Sequence, residues 1–99
     1  MVDVAERVAA DLLAFEQTVA VAESCTGGGV GVRLTARSGS SEYFLGGVIA
    51  YANRIKTTLL GVQESMLEKH GAVSEPVAEK MAIGVRERCA ADYGIAVTA

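Results

Sequence analysis

The first half of the chain alternates between amphipathic and wholly apolar segments. Asp3 followed by Glu6 resembles a capping box, and the apolar residues that follow recur at near-helical spacing, which predicts a helix as far as Phe15. Residues 18–22 then form a short apolar run, typical of a strand that is covered on both faces. After a glycine-rich break, residues 30–34 form a second amphipathic segment, which we interpret as a helix.

The middle of the chain returns to strand character and then to short helices. Residues 44–52 are largely apolar and predict a second strand. Asn53 is a suitable N-cap for a short helix that ends at Gly61. A further helix is predicted over residues 63–70, with Gly71 as its stop signal.

The last third contains the most strongly periodic helix. Ser74 is its predicted N-cap, and Pro76 lies in its first turn, where a missing N–H costs little. The apolar stripe of this helix recurs every four residues, at Val77, Met81, Val85 and Cys89. Tyr93 and Gly94 predict a turn, and residues 95–98 predict a third strand.

The order of these elements indicates the fold class. Helix, strand, helix, strand, helices and strand follow one another, which favours an α/β fold with helices on both faces of a mainly parallel sheet. The expectation is a three-layer α/β/α arrangement with three strands in this chain. The 99 residues leave room for one domain, residues 1–99.

Composition excludes several classes of function. The formal charge of −3 argues against a general nucleic-acid or membrane surface, since both require clustered Lys and Arg. No apolar stretch approaches the roughly 20 residues that span a bilayer, and the acidic start is unlike a secretory signal. The two cysteines, Cys25 and Cys89, have no metal-binding spacing. We therefore expect a cytoplasmic protein with reduced thiols, no cofactor and no metal.

Two polar segments follow the first two strands. In parallel sheets, ligands collect beyond the carboxyl ends of the strands. The first segment, Glu23-Ser24-Cys25-Thr26-Gly27-Gly28, contains glycines whose N–H groups could approach an anion at the start of the next helix. The second contains Tyr51, Asn53 and Lys56. If Asn53 is the cap, Lys56 is the third helical residue, where the helix dipole would help to lower its pKa, as a general base requires.

Ordinary structural roles also explain these residues. Ser24 and Thr26 could be helix caps, Lys56 a solvated surface residue and Tyr51 a partly buried strand residue. His70 precedes Gly71 and suits a helix C-terminus better than a base or ligand. The residues alone predict an anion-binding α/β domain with a candidate Ser–Lys pair. They do not identify a substrate.

A resemblance to a known family adds the substrate. Five segments, in order and at matching separations, resemble the competence-damage-inducible CinA C-terminal domain family: Ala22-Glu23-Ser24-Cys25-Thr26-Gly27-Gly28; Gly39-Ser40-Ser41 with Phe44; Tyr51 with Asn53 and Lys56; Leu60-Gly61-Val62; and His70-Gly71-Ala72-Val73-Ser74-Glu75. The resemblance extends from about residue 19 to residue 98, which is most of the chain.

The resemblance implies an amidohydrolase of pyridine-nucleotide salvage. Its members convert nicotinamide mononucleotide to nicotinic acid mononucleotide and ammonia. By the family pattern Ser24 is the nucleophile, Lys56 is its base and Tyr51 assists the pair. Substrate contacts are expected from Thr26, Gly27, Gly28 and Asn53, and the N–H groups of residues 26–28 could form either the oxyanion hole or the phosphate site.

Two alternatives stay open at this stage. Cys25 could act as a thiolate nucleophile on the same substrate, helped by the start of a helix. A chain that binds nucleotide or assembles with other chains without catalysis is the other alternative.

The resemblance also implies a shortened domain. In the family, the strand that matches residues 95–98 continues into a Gly-x-Ala-Gly-Pro stretch, a further strand pair and a helix, whereas this sequence ends at Ala99. A strand without its neighbour has an unpaired edge that recruits other strands. We therefore expect a homo-oligomer with residues 95–98 at or near a subunit contact.

Overall fold

The computed structural model describes residues 3–99 and contains a three-stranded parallel sheet between two layers of helices. This arrangement confirms the expected α/β class with a parallel sheet. Along the chain the elements are α1 (Val4–Ala14), β1 (Val19–Glu23), α2 (Gly29–Thr35), a 3₁₀ turn (Ser40–Glu42), β2 (Phe44–Ile49), α3 (Asn53–Leu60), α4 (Glu64–His70), α5 (Glu75–Cys89) and β3 (Tyr93–Val97).

The strand order is β2-β1-β3, so β1 is the central strand. All five residues of β1 are buried, and four of them, Val19–Ala22, belong to the run that was predicted to be a strand covered on both faces. Both neighbours run parallel to β1, with Glu23 opposite Ile49 on one side and opposite Val97 on the other. The carboxyl ends of all three strands therefore lie at one edge of the sheet.

Each face of the sheet has its own core. On one face α5 packs through Val77, Met81 and Val85, all with no exposed surface, which confirms the predicted stripe. Cys89 continues this stripe but is only half-buried. On the other face α1 and α2 pack over the sheet, and Tyr43 is fully buried there, with its hydroxyl donating to the Leu34 carbonyl oxygen.

Helix starts are where the sequence predictions were least accurate. Asp3 caps α1 as predicted and accepts a hydrogen bond from the Ala5 N–H at 2.8 Å. The prediction that Asn53 caps α3 was wrong, because Ala52 occupies the cap position and Asn53 is the first helical residue. Ser74 does precede α5, but its hydroxyl donates to the Gly71 carbonyl oxygen at 2.9 Å instead of accepting from the helix.

The third strand begins earlier than predicted. Tyr93 and Gly94 belong to β3 and do not form a turn, since Tyr93 N–H donates to the Thr18 carbonyl oxygen at 3.0 Å. The chain turns instead at Ala90, which has a left-handed backbone with φ of 54°. Gly94 serves close packing, because a Cβ at this position would overlap the Ala82 carbonyl oxygen of α5.

Candidate active site

Ser24 lies at the centre of the carboxyl edge of the sheet. Its N–H donates to the Val97 carbonyl oxygen of β3 at 3.0 Å. The carbonyl oxygen of the preceding Glu23 accepts from the Ala50 N–H, just past β2, at 2.7 Å. Hydrogen bonds to both neighbouring strands therefore fix the backbone at Ser24, which is 7% exposed. A serine held in this way is well placed to meet a ligand in the crevice beyond the strands.

The loop after Ser24 presents backbone donors. Gly27 N–H donates back to the Ser24 carbonyl oxygen at 3.3 Å, and Gly27 and Gly28 have φ of 61° and 116°, a region that favours glycine. Within residues 3–99, the N–H groups of Cys25, Thr26 and Gly28 have no hydrogen-bond acceptor. Unpaired N–H groups that flank a serine are the kind of donor that stabilises an oxyanion.

Glu23 organises this loop from beneath. Its side chain is 1% exposed, and its carboxylate accepts from the Thr26 hydroxyl, from Val30 N–H at 2.8 Å and from Gly31 N–H at 2.9 Å. Burial acts to raise the pKa of this carboxyl, but the three hydrogen bonds outweigh burial and hold the pKa below its ordinary value. Glu23 is therefore an ionised carboxylate at the start of α2.

This carboxylate corrects the expectation that the start of α2 receives an anionic ligand. The N–H groups of Val30 and Gly31 are already bonded to Glu23, so they are not available to a phosphate. Within residues 3–99, the donors that remain for a ligand are the loop N–H groups and the N–H of Gly29, the first residue of α2.

Replacing Glu23 by glutamine is expected to lower the free energy of unfolding by about 1.5–3 kcal/mol at neutral pH, the range for hydrogen bonds to charged groups. The amide NH₂ of glutamine cannot accept from a helix N–H. Because the folded-state pKa lies below the ordinary 4.5, the stabilisation by Glu23 is complete above that value and is lost as the pH falls through the folded-state pKa.

Urea denaturation of the wild type and of Glu23→Gln at a series of pH values measures this difference. Glu79→Gln, which changes an exposed carboxylate of α5, is the control. A difference that did not shrink on acidification would contradict an ionised Glu23.

Lys56 is the second unusual residue. It is the fourth residue of α3 and is 1% exposed, so the surface-lysine interpretation was wrong. Its Nζ donates to the Tyr51 carbonyl oxygen at 3.1 Å, and no carboxylate within residues 3–99 forms an ion pair with it. Burial lowers the pKa of this amine, since a buried ammonium without a counter-charge is poorly solvated.

Replacing Lys56 by methionine is expected to raise the free energy of unfolding near neutral pH by about 0.5–2 kcal/mol, the usual gain when a costly functional group is removed. Since the folded-state pKa lies below the ordinary 10.5, the unfolded chain binds more protons between the two values. Wild-type stability therefore rises with pH in this window, and the advantage of methionine shrinks towards pH 10.5.

Denaturation at several pH values up to that limit measures the effect, with Lys69→Met, at an exposed site in α4, as the control. If methionine destabilised the chain at every pH, the amine would be a structural group without a depressed pKa.

The contacts and exposure of the other predicted site residues differ from those expected. The Tyr51 side chain is 78% exposed, and Tyr51 contacts Lys56 through its backbone carbonyl and not through its phenol. Asn53 is exposed at the start of α3, and Cys25 is an exposed free thiol. No hydrogen bond within residues 3–99 joins the Ser24 hydroxyl to Lys56.

Comparison with known proteins decides the family. The family model for the CinA C-terminal domain matches residues 1–99. The chain belongs to this family. It is 63% identical over 82 residues to a CinA-like protein of Gloeothece citriformis and 66% identical over 82 residues to one of Synechococcus sp., in each case over 83% of this chain and 20% of the relative.

Solved structures agree with this assignment. A CinA superfamily protein from Escherichia coli is 34% identical with a TM-score of 0.85, over 89% of this chain and 51% of that protein. A competence/damage-inducible protein from Agrobacterium tumefaciens is 37% identical with a TM-score of 0.84, over 93% of this chain and 55% of that protein. The chain thus spans about half the length of these solved relatives and about a fifth of the curated ones.

Sequence reasoning had assigned no role to Glu23, although it was part of a quoted CinA motif. The signal was present, since a carboxylate that ends a wholly buried strand requires partners, and Thr26 and a helix start follow within eight residues.

Two further findings concern membrane helices and metal-binding clusters. No helix within residues 3–99 is long and apolar enough to cross a membrane. No cluster of metal-binding side chains was found in that same part of the chain.

Proposed function

We propose that this CinA-family chain hydrolyses the carboxamide of nicotinamide mononucleotide, with Ser24 as nucleophile and Lys56 as base. The observation that carries the proposal is Lys56 itself, a buried amine with a lowered pKa and no carboxylate partner beside the carboxyl edge of the sheet. Such a group is costly to the folded state, and perturbed groups of this kind cluster at functional sites.

The strand register supports a Ser24–Lys56 pair. Glu23 is opposite Ile49, so Ser24 is level with Ala50, and Tyr51 is one residue further along. Neighbouring strands lie about 4.8 Å apart. The carbonyl oxygen that holds the Lys56 amine therefore belongs to the segment directly beside Ser24. Proton transfer requires the two side chains to approach within about 2.6–3.2 Å, a contact that frequently tightens only when substrate is bound.

The proposed reaction has two halves. Neutral Lys56 takes the Ser24 proton as the hydroxyl oxygen attacks the carboxamide carbon, and loop N–H groups stabilise the oxyanion. Collapse breaks the C–N bond, and ammonia leaves with the proton from Lys56. Water then attacks the Ser24 ester, again with Lys56 as base, which releases nicotinic acid mononucleotide and restores the serine hydroxyl.

A second candidate function is nucleotide binding without hydrolysis. The absence of a Ser24–Lys56 hydrogen bond within residues 3–99 favours it, and the unpaired N–H groups of the loop could still donate hydrogen bonds to a phosphate. This candidate predicts saturable binding of nicotinamide mononucleotide with no product.

One experiment separates the two. The purified chain is incubated with nicotinamide mononucleotide, and both ammonia and nicotinic acid mononucleotide are quantified over time. Equal amounts of the two products, accumulating over many turnovers, support the amidohydrolase. Binding measured by calorimetry without any ammonia would reject it in favour of the second candidate.

A further inference from the structure

The side chain of Glu23 lies on the opposite face of the sheet from the helix that carries Lys56. Side chains alternate along a strand, so Glu23 is on the same face as Val21, in the core beneath α1 and α2. Lys56 belongs to α3, whose Leu60 packs in the core beneath α5. No hydrogen bond or ion pair within residues 3–99 joins Glu23 to Lys56. The Glu23 carboxylate therefore acts on the loop and on α2, and not directly on Lys56.

The Thr26 hydroxyl ties this carboxylate to the loop, residues 25–28. In the described part of the chain, the other hydrogen bonds of the loop are one donated by Gly27 N–H, at 3.3 Å, and one accepted by the Gly28 carbonyl oxygen, at 2.9 Å. Both glycines have positive φ, and glycine has more backbone freedom to lose on ordering than other residues. The bond from Thr26 to Glu23 therefore holds the middle of a segment that has few other constraints.

The Thr26 side chain also packs against the start of α2. A Cβ at Gly29 would lie 3.3 Å from the Thr26 Cβ, so glycine at this position leaves the space that the threonine occupies. Packing thus places the carbon atoms of Thr26, and Glu23 places its hydroxyl. A valine at position 26 would keep most of the packing and lose only the hydrogen bond.

The place of the loop next to Ser24 indicates which part of the substrate it meets. The oxyanion forms on the carbon that the Ser24 hydroxyl attacks, so its donors must lie beside that hydroxyl. In nicotinamide mononucleotide the pyridine ring and the ribose separate this carbon from the phosphate. A substrate with its carboxamide at Ser24 therefore presents the oxyanion, and not the phosphate, to the N–H of the next residue, Cys25.

We infer that Glu23 and Thr26 are positioning residues, and that their hydrogen bond holds the loop N–H groups where the oxyanion forms. This inference rests on the proposed function. Donors stabilise an oxyanion best when they are in place before the reaction, because ordering them during it costs free energy. A loop released from Glu23 would contain the same N–H groups but would not hold them at the site.

The test compares Thr26→Val with Thr26→Ser in the 99-residue chain. Thr26→Val should lower kcat for nicotinamide mononucleotide about 10- to 100-fold and change KM by less than about threefold. Thr26→Ser keeps a hydroxyl and should retain most of the wild-type kcat. In a Glu23→Gln background, Thr26→Val should have little further effect, since the two residues act as one unit.

Thr18→Val is the matched control. The Thr18 hydroxyl also donates to a carboxylate, that of Asp92, at 3.2 Å, but it does so at the opposite edge of the sheet from Ser24. Its removal should change neither kcat nor KM, even if it lowers the free energy of unfolding as much as Thr26→Val does.

The order of the loop N–H groups, measured by NMR relaxation, is a second readout that does not require activity. The wild type and Thr26→Ser should have order parameters near about 0.85 in the loop, and Thr26→Val should fall below about 0.6. If the wild type releases no ammonia, the proposed function fails and the oxyanion role fails with it, whereas this measurement still decides whether Glu23 and Thr26 hold the loop.

Two results would overturn the inference in an active chain. One is a Thr26→Val loop as rigid as that of the wild type, because the hydrogen bond would then position nothing. The other is a raised KM with unchanged kcat, because the loop would then bind the substrate and not the oxyanion.

Discussion

Replacing Ser24 by alanine is expected to lower the rate of nicotinamide mononucleotide deamidation by about 10⁴-fold or more, the scale seen when a serine nucleophile is removed. Without the hydroxyl, no ester forms, and Lys56 has no proton to accept. Steady-state ammonia release by the wild type and by Ser24→Ala measures the loss.

The neighbouring thiol provides the matched control. Cys25→Ala changes an exposed side chain in the same loop and should retain most of the activity. If Cys25→Ala abolished turnover while Ser24→Ala kept it, the thiol would be the nucleophile. Equal unfolding free energies for the two variants exclude loss of folding as the cause.

Replacing Lys56 by arginine is expected to be nearly as damaging as replacing it by methionine, with a loss of at least about 10²-fold in kcat, the lower range for general acid–base catalysis. A guanidinium keeps its proton at any pH that the protein survives, so it cannot accept one from Ser24. It is also larger than the ammonium, and the site is fully buried.

Stopped assays of kcat and KM on Lys56→Arg and Lys56→Met, with Lys69→Arg as the surface control, measure this effect. A Lys56→Arg variant that kept wild-type kcat would show that only positive charge is required at this position, and the role of base would be lost. Lys69 is exposed in α4, so its substitution should change neither constant.

The layered fold could be predicted from local sequence patterns, because the spacing of apolar residues in each segment indicates both the type of element and its buried face. The apolar run that became β1 and the four-residue repeat of α5 are each set by their own sequence. Caps were predicted less well. Asn53 and Ser74 are good capping residues, but the structure uses a different residue for one and a different hydrogen bond for the other. These choices depend on tertiary neighbours that local propensity does not encode.

The candidate site was likewise predictable in part. The two segments that meet at the carboxyl edge were predictable from parallel topology, since each follows a strand. The burial of Lys56 and its contact with the Tyr51 carbonyl were not, because they depend on how α3 packs against α5. The hydrogen bonds of Glu23 to the start of α2 were not predictable either, because they depend on how close the end of β1 lies to a helix that begins six residues later.

The most direct test is an NMR titration of the Lys56 amine in the folded chain, with Lys56→Met used to assign its signal. The central claim is that the fold holds this amine buried, without a counter-charge, so that it is available as a base. The account predicts a titration midpoint below the ordinary 10.5. A midpoint at or above that value would contradict it.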